Sequence, residues 1–269
     1  MDVPVTVGVV VLVPLMGLSL PVQQAWTPRV EGETLRLFNY NLGLDGIDGQ
    51  GLVAFLERAR IDLLCFQEGP SRDPILEEFL SRGWYRDRER QIASRFPIVA
   101  DRGPFPDRSM TEARYSAHLS RVTIRTPSGT DFLLASVHLP TIRPGLNRFL
   151  EGDRAGLILH VDWWRSELAR VVAAIESGPD VPKLIAGDFN MPADESALAS
   201  LRDEGRFRFA FEEAGWGFGY TRPTRTPWFR IDHILTSPEW VVRRCRVGPD
   251  FGSDHLPLVA EVVLPARPQ

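Results

Sequence analysis

An apolar run, Leu184-Ile185-Ala186, stops on Gly187-Asp188-Phe189-Asn190. It reads as a short strand buried on both faces and closed by turn residues. Asp188 and Asn190 stand two positions apart, so in extended geometry their side chains leave the same face. A carboxylate that only accepts then sits beside an amide that both donates and accepts, a pair suited to holding water next to a phosphate. Gly-Asp-x-Asn is also ordinary turn composition, favoured for backbone reasons alone. What separates the two readings is the company the motif keeps. Asn41, Glu68, His138, Asp232 and Asp254 with His255 share its placement, each at or beside the end of an apolar, strand-like run. Strand ends are where sheet proteins gather reactive groups on a rigid scaffold, so these residues predict one mouth where the strands converge.

The inventory is chemically coherent. Glu68, helped by Asn41 and Asp254, supplies the hard oxygen ligands that Mg²⁺ accepts while keeping several waters, and the His and Cys clustering of a zinc site is missing. The expected ion is Mg²⁺, with Mn²⁺ as the alternative. Asp232 can fix the tautomer of His255 so that the other ring nitrogen faces a phosphate, and His138 offers a second donor to a phosphoryl oxygen. Phosphoryl transfer needs mainly positioning and charge stabilisation, which this set provides. Arg95 and Arg114 are further candidates for substrate binding, against the commoner role of a strand arginine as a solvated or ion-paired residue. His233 alternates away from Asp232 and reads as structural, while His118 and His160 have no motif partners. Large aromatics are usually core, but the loop Gly215 to Phe229 crowds Trp216, Phe218, Tyr220 and Trp228 into a Gly/Pro-rich stretch just before Asp232. That stretch reads as a specificity loop.

With 269 residues, 43% of them hydrophobic, the chain can bury a sizeable core. A formal charge of -4 and a pI near 5.8 leave no basic footprint, which excludes a protein built only to coat nucleic acid but not an enzyme that neutralises phosphate with a metal. Lys183 is the only lysine, so the basic residues are arginines, whose planar fork suits phosphate. Cys65 and Cys245 lie in apolar runs without metal-ligand spacing and read as small core residues. Val3 to Val22 carries no charge and has the length of a bilayer span, interrupted by Pro4, Pro14 and Pro21. Residues 1–22 are read as a membrane anchor or signal segment, the anchor being favoured because Met1-Asp2 lacks a positive start; the alternative is an apolar segment folded onto the domain. Residues 23–33 read as a linker and 34–269 as the globular domain, membrane-anchored or secreted, with a cytoplasmic location left open.

The patterning beyond the linker is α/β. It predicts a strand from Leu35 to Asn41, a helix on Leu52, Phe55, Leu56 and Ala59, a strand over 61–66 and a helix over 74–80. A strand with a break at Pro97 follows over 91–99, then an antiparallel hairpin of 115–125 and 131–137 through Pro127-Ser128-Gly129. Helices are expected over 153–177 and 193–201, and strands over 230–235, 240–247 and 256–264.

In order along the chain, Asn41, Gln67-Glu68, Ser94-Arg95-Phe96-Pro97-Ile98, Val137-His138, Gly187-Asp188-Phe189-Asn190, Arg230-Ile231-Asp232-His233-Ile234 and Ser253-Asp254-His255 resemble the motifs of the endonuclease/exonuclease/phosphatase superfamily. Pancreatic-type DNases, AP endonucleases, bacterial sphingomyelinases and inositol polyphosphate phosphatases belong to it. The resemblance spans about Leu35 to Leu264. It implies a four-layer α/β sandwich, two mixed β-sheets packed face to face with helices outside, and makes 34–269 the catalytic domain. It also implies roles: Glu68 as chief metal ligand with Asn41 beside it, Asp188 orienting or deprotonating the attacking water, and Asn190 holding the scissile phosphate. His255 would stabilise the transition state, oriented by Asp232, with Asp254 at or near the metal and His138 on the phosphate. Gly43 stands where AP endonucleases carry an aspartate, and neither a DNA-intercalating loop nor the helical insertion of the inositol phosphatases is evident. The expected activity is metal-dependent hydrolysis of phosphate esters by a monomeric domain, first as a phosphodiesterase on nucleic acid. The alternatives are a membrane-proximal phospholipid, sphingomyelin or isoprenoid-phosphate hydrolase, and a catalytically silent binding module.

Overall fold

Along the inner strands nearly every residue is apolar, which demands cover on both faces. In a computed structural model describing residues 18–20, 30–43, 46–69, 73–105, 117–224 and 228–265, that demand produces four layers. The elements in chain order are β1 (Gly32–Asn41), α1 (Gly49–Arg58), β2 (Leu63–Gln67), α2 (Pro74–Leu80), β3 (Tyr85–Arg86), β4 (Ile92–Ser94), β5 (Ile98–Phe105), β6 (His118–Arg125), β7 (Asp131–His138), α3 (Arg143–Leu150), α4 (Arg154–Glu176), β8 (Lys183–Asp188), α5 (Ser196–Asp203), β9 (Arg208–Phe209), α6 (Ala210–Ala214), β10 (Asp232–Thr236), β11 (Val241–Val247) and β12 (Leu258–Pro265). They form two six-stranded mixed sheets, ordered β11-β12-β1-β2-β4-β3 and β5-β6-β7-β8-β10-β9. This is the expected sandwich. Most of the apolar N-terminal segment, most of the linker, and Arg114 lie outside the described residues.

Alternation along each strand assigns the layers. Leu35 and Leu37 of β1, Leu63 and Cys65 of β2, Phe132 and Leu134 of β7, and Leu184 and Ala186 of β8 meet between the sheets. Their neighbours point outward: Phe38, Tyr40, Leu64 and Phe66 pack with Leu52, Phe55 and Leu56 of α1 and Leu76 of α2. On the other side, Leu133, Ala135 and Ile185 pack with Leu168, Val171 and Ile175 of α4 and Leu198 of α5. Helices α1, α2 and α4 begin where side chains cap them, Asp48, Asp73 and Asp153 each accepting from a backbone N–H three residues on. Cys65 and Cys245 are both free and buried, and burial pushes their thiols up, that of Cys245 to about 12.

Some expectations need correcting. The single strand over 91–99 is two strands in different sheets, β4 beside β2 and β5 beside β6; the break at Pro97 is where the chain crosses between layers. Helix α3 is not among the expected elements: Leu146, Phe149 and Leu150 recur at helical spacing within it but are exposed. The hairpin and the long helix fall where the pattern puts them.

The face between the sheets changes character along its length. Continuing the same alternation, β1 runs from Leu35 and Leu37 to Asn39 and Asn41, and β2 from Leu63 and Cys65 to Gln67. β7 runs from Phe132 and Leu134 to Ser136 and His138, and β8 from Leu184 and Ala186 to Asp188. Gln67 joins the layers at the changeover, its Nε2 donating to Asn39 Oδ1 at 3.1 Å and to Ser136 Oγ at 3.0 Å. The register of β7 and β8 is tight here because Gly187 pairs with Val137; a Cβ at Gly187 would stand 1.9 Å from the Val137 carbonyl oxygen. Gly187→Ala is therefore expected to lower unfolding free energy by about 1–3 kcal/mol through overpacking, read by urea denaturation; unchanged stability would mean that the strands part freely.

Candidate active site

Strand pairing puts the reactive row together. Asp188 is the register partner of His138 across parallel β7 and β8, and of Asp232 across antiparallel β8 and β10. Directly paired residues share a face, so the three side chains stand in line. The first sheet supplies the opposite wall. Asn41 ends β1, and its Nδ2 donates to Asp188 Oδ2 at 3.1 Å and to Glu68 Oε1 at 3.2 Å. The loop ahead of β12 is docked on β1, with Ser253 Oγ donating to the Asn41 carbonyl at 2.7 Å and accepting from the His255 N–H at 3.1 Å. His255 is thereby seated with Nδ1 2.8 Å from Asp232 Oδ2 and Nε2 3.6 Å from Asp188 Oδ2.

Asp188 Oδ2 is the hub. Asn41 Nδ2 and Asn190 Nδ2, at 3.1 and 3.3 Å, donate to it, and His255 and His138 bring Nε2 to 3.6 and 3.7 Å. Its other oxygen accepts the Asn190 N–H at 2.8 Å. Burial and the nearby Asp232 charge raise the Asp188 pKa, while the two imidazoles and the Asn190 N–H work against the rise. His255 is the reverse: burial disfavours its charged form, but the Asp232 carboxylate, its hydrogen bond and Asp188 outweigh burial and hold the pKa at about 9. Asn190 donates to the Leu139 carbonyl at 2.8 Å as well as to Asp188. Its amide N–H groups orient the carboxylate instead of standing free for a phosphate.

Glu68 and Asn190 adopt φ of 63° and 53°, a left-handed conformation that costs a non-glycine residue energy and is concentrated at functional sites. Asp188, Asp232 and His255 bring one ligand atom each within 4.8 Å of one another, but His255 Nδ1 and Asp232 Oδ2 are already joined by a hydrogen bond. Glu68 is different. It is half-buried at the mouth, and no basic side chain among the described residues is ion-paired with it. Its carboxylate and that of Asp188, bridged by the Asn41 Nδ2, form an all-oxygen donor pair, which fits a hard divalent cation. Gly43 has φ +64° and its N–H binds Asn41 Oδ1 at 3.0 Å. A Cβ there would meet Ser253 Oγ at 3.1 Å and Asp254 Oδ1 at 3.3 Å, so an aspartate in its place would need this corner rebuilt.

One candidate from the sequence falls elsewhere. Arg95 follows β4, whose register with β2 sets Ser94 opposite Leu63, so it lies at the far end of β2 from Glu68. There its guanidinium stacks 4.1 Å from the Trp84 ring centroid, and it is not part of this mouth. Arg114 lies outside the described residues. Asp254 reaches the mouth but is 50% exposed and ion-paired with Arg222. His233 faces away as expected, hydrogen-bonded to the Met191 carbonyl at 2.8 Å, and burial holds its pKa down at about 4. Sequence reasoning missed Arg222, whose Nη1 is 3.0 Å from His255 Nε2. Its signal was its place inside the aromatic loop that leads to Asp232.

A sandwich of two mixed sheets carrying this polar row at one end defines a class of phosphoesterase fold. Residues 38–255 match the family model described as Endonuclease/Exonuclease/phosphatase family, and the chain belongs to that family. A search of curated proteins finds no match. Among solved structures, it is similar to an endonuclease/exonuclease/phosphatase family protein from Bacteroides thetaiotaomicron, with 20% identity and TM-score 0.65, covering 87% of this chain and 99% of that one. A mannosyl-6-phosphatase of the same organism gives 20% identity and TM-score 0.63, covering 85% and 99%. D. rerio TDP2 complexed with single strand DNA product gives 17% and 0.60, covering 86% and 99%.

The His255–Asp232 pairing has a measurable consequence. Because the folded pKa of about 9 exceeds the ordinary 6.5, the imidazolium stabilises the fold fully below pH 6.5, and this contribution fades as pH rises through about 9. Nitrogen-detected NMR titration of the metal-free protein is expected to show that midpoint, and Asp232→Asn should bring it down towards neutrality. An unmoved midpoint in the variant would rule out the carboxylate as the cause.

Proposed function

We propose that this chain is a divalent-metal-dependent hydrolase of phosphate esters acting by in-line attack of water, with phosphodiesters of nucleic acid as its first substrate class. The convergence of Asn41, His138, Asn190 and His255 on one oxygen of buried Asp188, beside Glu68, carries this reading. Asp188 acts on the water: its raised pKa makes it a better proton acceptor than a solvated aspartate, and Asn41 and Asn190 fix its orientation. His255, held by Asp232, presents Nε2 to the phosphoryl oxygens as charge builds on them. His138 does the same from the neighbouring strand. Mg²⁺ or Mn²⁺ held by the Glu68 and Asp188 carboxylates would supply charge neutralisation and stabilise the leaving oxygen.

A lipid substrate is the second reading, favoured by the rim. Trp216, Trp228 and Phe229 are 76%, 67% and 56% exposed, and Ser19, at the end of the apolar N-terminal segment, pairs with Gly217 of the same loop. Aromatic rings of this kind suit a membrane interface.

Purified protein should hydrolyse bis-p-nitrophenyl phosphate with Mg²⁺ and lose that activity in EDTA. Asp188→Ala and His255→Ala are each expected to lower kcat by about 10²-fold or more with the circular dichroism spectrum unchanged; normal turnover in both would refute the assignment. Supercoiled plasmid and phospholipid vesicles, each incubated with Mg²⁺, separate the substrate readings: nicked plasmid supports the first, released headgroup the second.

A further inference from the structure

Arg222 is placed by backbone, not by chance contact. The Thr221 N–H donates to the Phe229 carbonyl at 2.8 Å, the Leu256 N–H to the Thr221 carbonyl at 2.7 Å, and the Thr224 N–H to the Asp254 carbonyl at 3.1 Å. Thr221 itself is buried, its Oγ1 accepting from the N–H groups of Ile231 and Asp232 at 3.3 Å each, and Thr224 Oγ1 donates to the Ser253 carbonyl at 2.7 Å. The Arg222 segment is thus stitched both to the start of β10 and to the loop that carries His255. From that base the guanidinium puts Nη1 3.0 Å from His255 Nε2 and binds Asp254 Oδ2 through Nη2. His255 Nε2 is in turn 3.6 Å from Asp188 Oδ2, so the fork stands next to the point where the reaction would occur.

Nothing in the hydrolytic scheme uses this side chain. Arginine keeps its charge, offers five N–H donors in a plane and suits a phosphate better than an imidazole nitrogen. Its Nη1 stands 3.0 Å from His255 Nε2, so an anionic oxygen docked against this pair meets both side chains. Asp254, half exposed and engaged through Oδ2, holds the fork in the direction that meets such an oxygen.

We propose that Arg222 is a phosphate-binding residue of this site, aimed by Asp254, and that phosphoryl oxygens dock between its guanidinium and His255. The assignment rests on the phosphate-ester reading for its substrate, and it gives Asp254 an anchoring role in place of the metal-ligand role the sequence resemblance implied.

Two measurements on the purified protein test it: calorimetric titration of inorganic phosphate into the metal-free form in EDTA, and hydrolysis of bis-p-nitrophenyl phosphate across a Mg²⁺ series. Arg222→Gln is expected to weaken phosphate binding by about tenfold or more and to lower kcat/KM by about 10²-fold. Arg222→Lys, which keeps the charge and gives up the fork, should fall between. Asp254→Asn should weaken phosphate binding while leaving the half-saturating Mg²⁺ concentration near that of the wild type, whereas Glu68→Gln should raise it. Arg222→Gln and Arg222→Lys variants that bind phosphate and turn over as the wild type does would overturn the assignment and leave the hydrolase reading standing. Phosphate binding that depends on Arg222 in a protein that hydrolyses no ester would do the opposite. An Asp254→Asn variant with unchanged phosphate binding and a raised Mg²⁺ requirement would make Asp254 a ligand and overturn its anchoring role.

Discussion

A single buried carboxylate constrains the rest of this molecule. Asp188 is fully enclosed at the end of a central strand, where an uncompensated charge costs several kcal/mol or more. Two amide nitrogens and two imidazole nitrogens lie within 3.7 Å of its Oδ2, and they come from both sheets. The two sheets must therefore close on each other in one register, because a shift by one residue would turn Asn41 away from the interface and leave Asp188 without its cross-sheet partner. The catalytic arrangement and the packing of the sandwich are the same constraint seen at two ends of one layer.

That layer explains why the site is rigid. The strand faces that supply Leu35, Leu37, Leu63, Phe132, Leu134 and Leu184 to the core continue, two residues at a time, into Asn39, Asn41, Gln67, Ser136, His138 and Asp188. Gln67 and Ser136 bridge the sheets where apolar packing gives way to polar chemistry. Ser136 also donates to the Phe66 carbonyl at 3.1 Å. A buried network of this kind holds direction as well as position, so the row beyond it is supported from below by hydrogen bonds and not by contact alone. Trp164 adds a brace from the helical layer, its Nε1 donating to the Phe189 carbonyl at 2.9 Å in the middle of the Asp188–Asn190 turn.

How much of this is legible in the sequence follows from the same geometry. Apolar runs ending on polar residues mark strand ends directly, which is why Asn41, Glu68, His138, Asp188, Asp232 and His255 are recognisable one at a time. Their meeting requires pairings between distant strands, and periodicity carries no information about those. Arg95 illustrates the gap: it sits beside a motif in the chain, yet the antiparallel register of β2 and β4 takes it to the wrong end of the sheet. Arg222 is the converse, remote from any strand end and brought in by a loop that folds back through Thr221 and Phe229. The break at Pro97 was visible as an interruption; that it moves the chain from one sheet to the other was not, because both halves are equally apolar. Helix α3 is only eight residues long, so Leu146, Phe149 and Leu150 show a single repeat of helical spacing, and being exposed they add nothing to the core.

The contrast between strand-borne and loop-borne groups also bears on specificity. Asn41, His138, Asp188 and Asp232 are fixed by ladder hydrogen bonds, so their geometry changes only if the sheets change. Arg222, Trp216, Trp228 and Phe229 are carried by one loop between α6 and β10. That loop is fastened at Thr221 to the row and at Gly217 to the N-terminal segment, with Phe218 and Tyr220 stacked between at 5.1 Å. The residues that would grip a phosphate and those that would meet the rest of a substrate therefore share one short piece of chain. A sequence change there can alter what is bound without disturbing the carboxylate beneath, since none of the donors to Asp188 Oδ2 belongs to it. Polar chemistry built on strands and recognition built on a loop fastened to them is the arrangement by which one hydrolytic row can serve different phosphate esters.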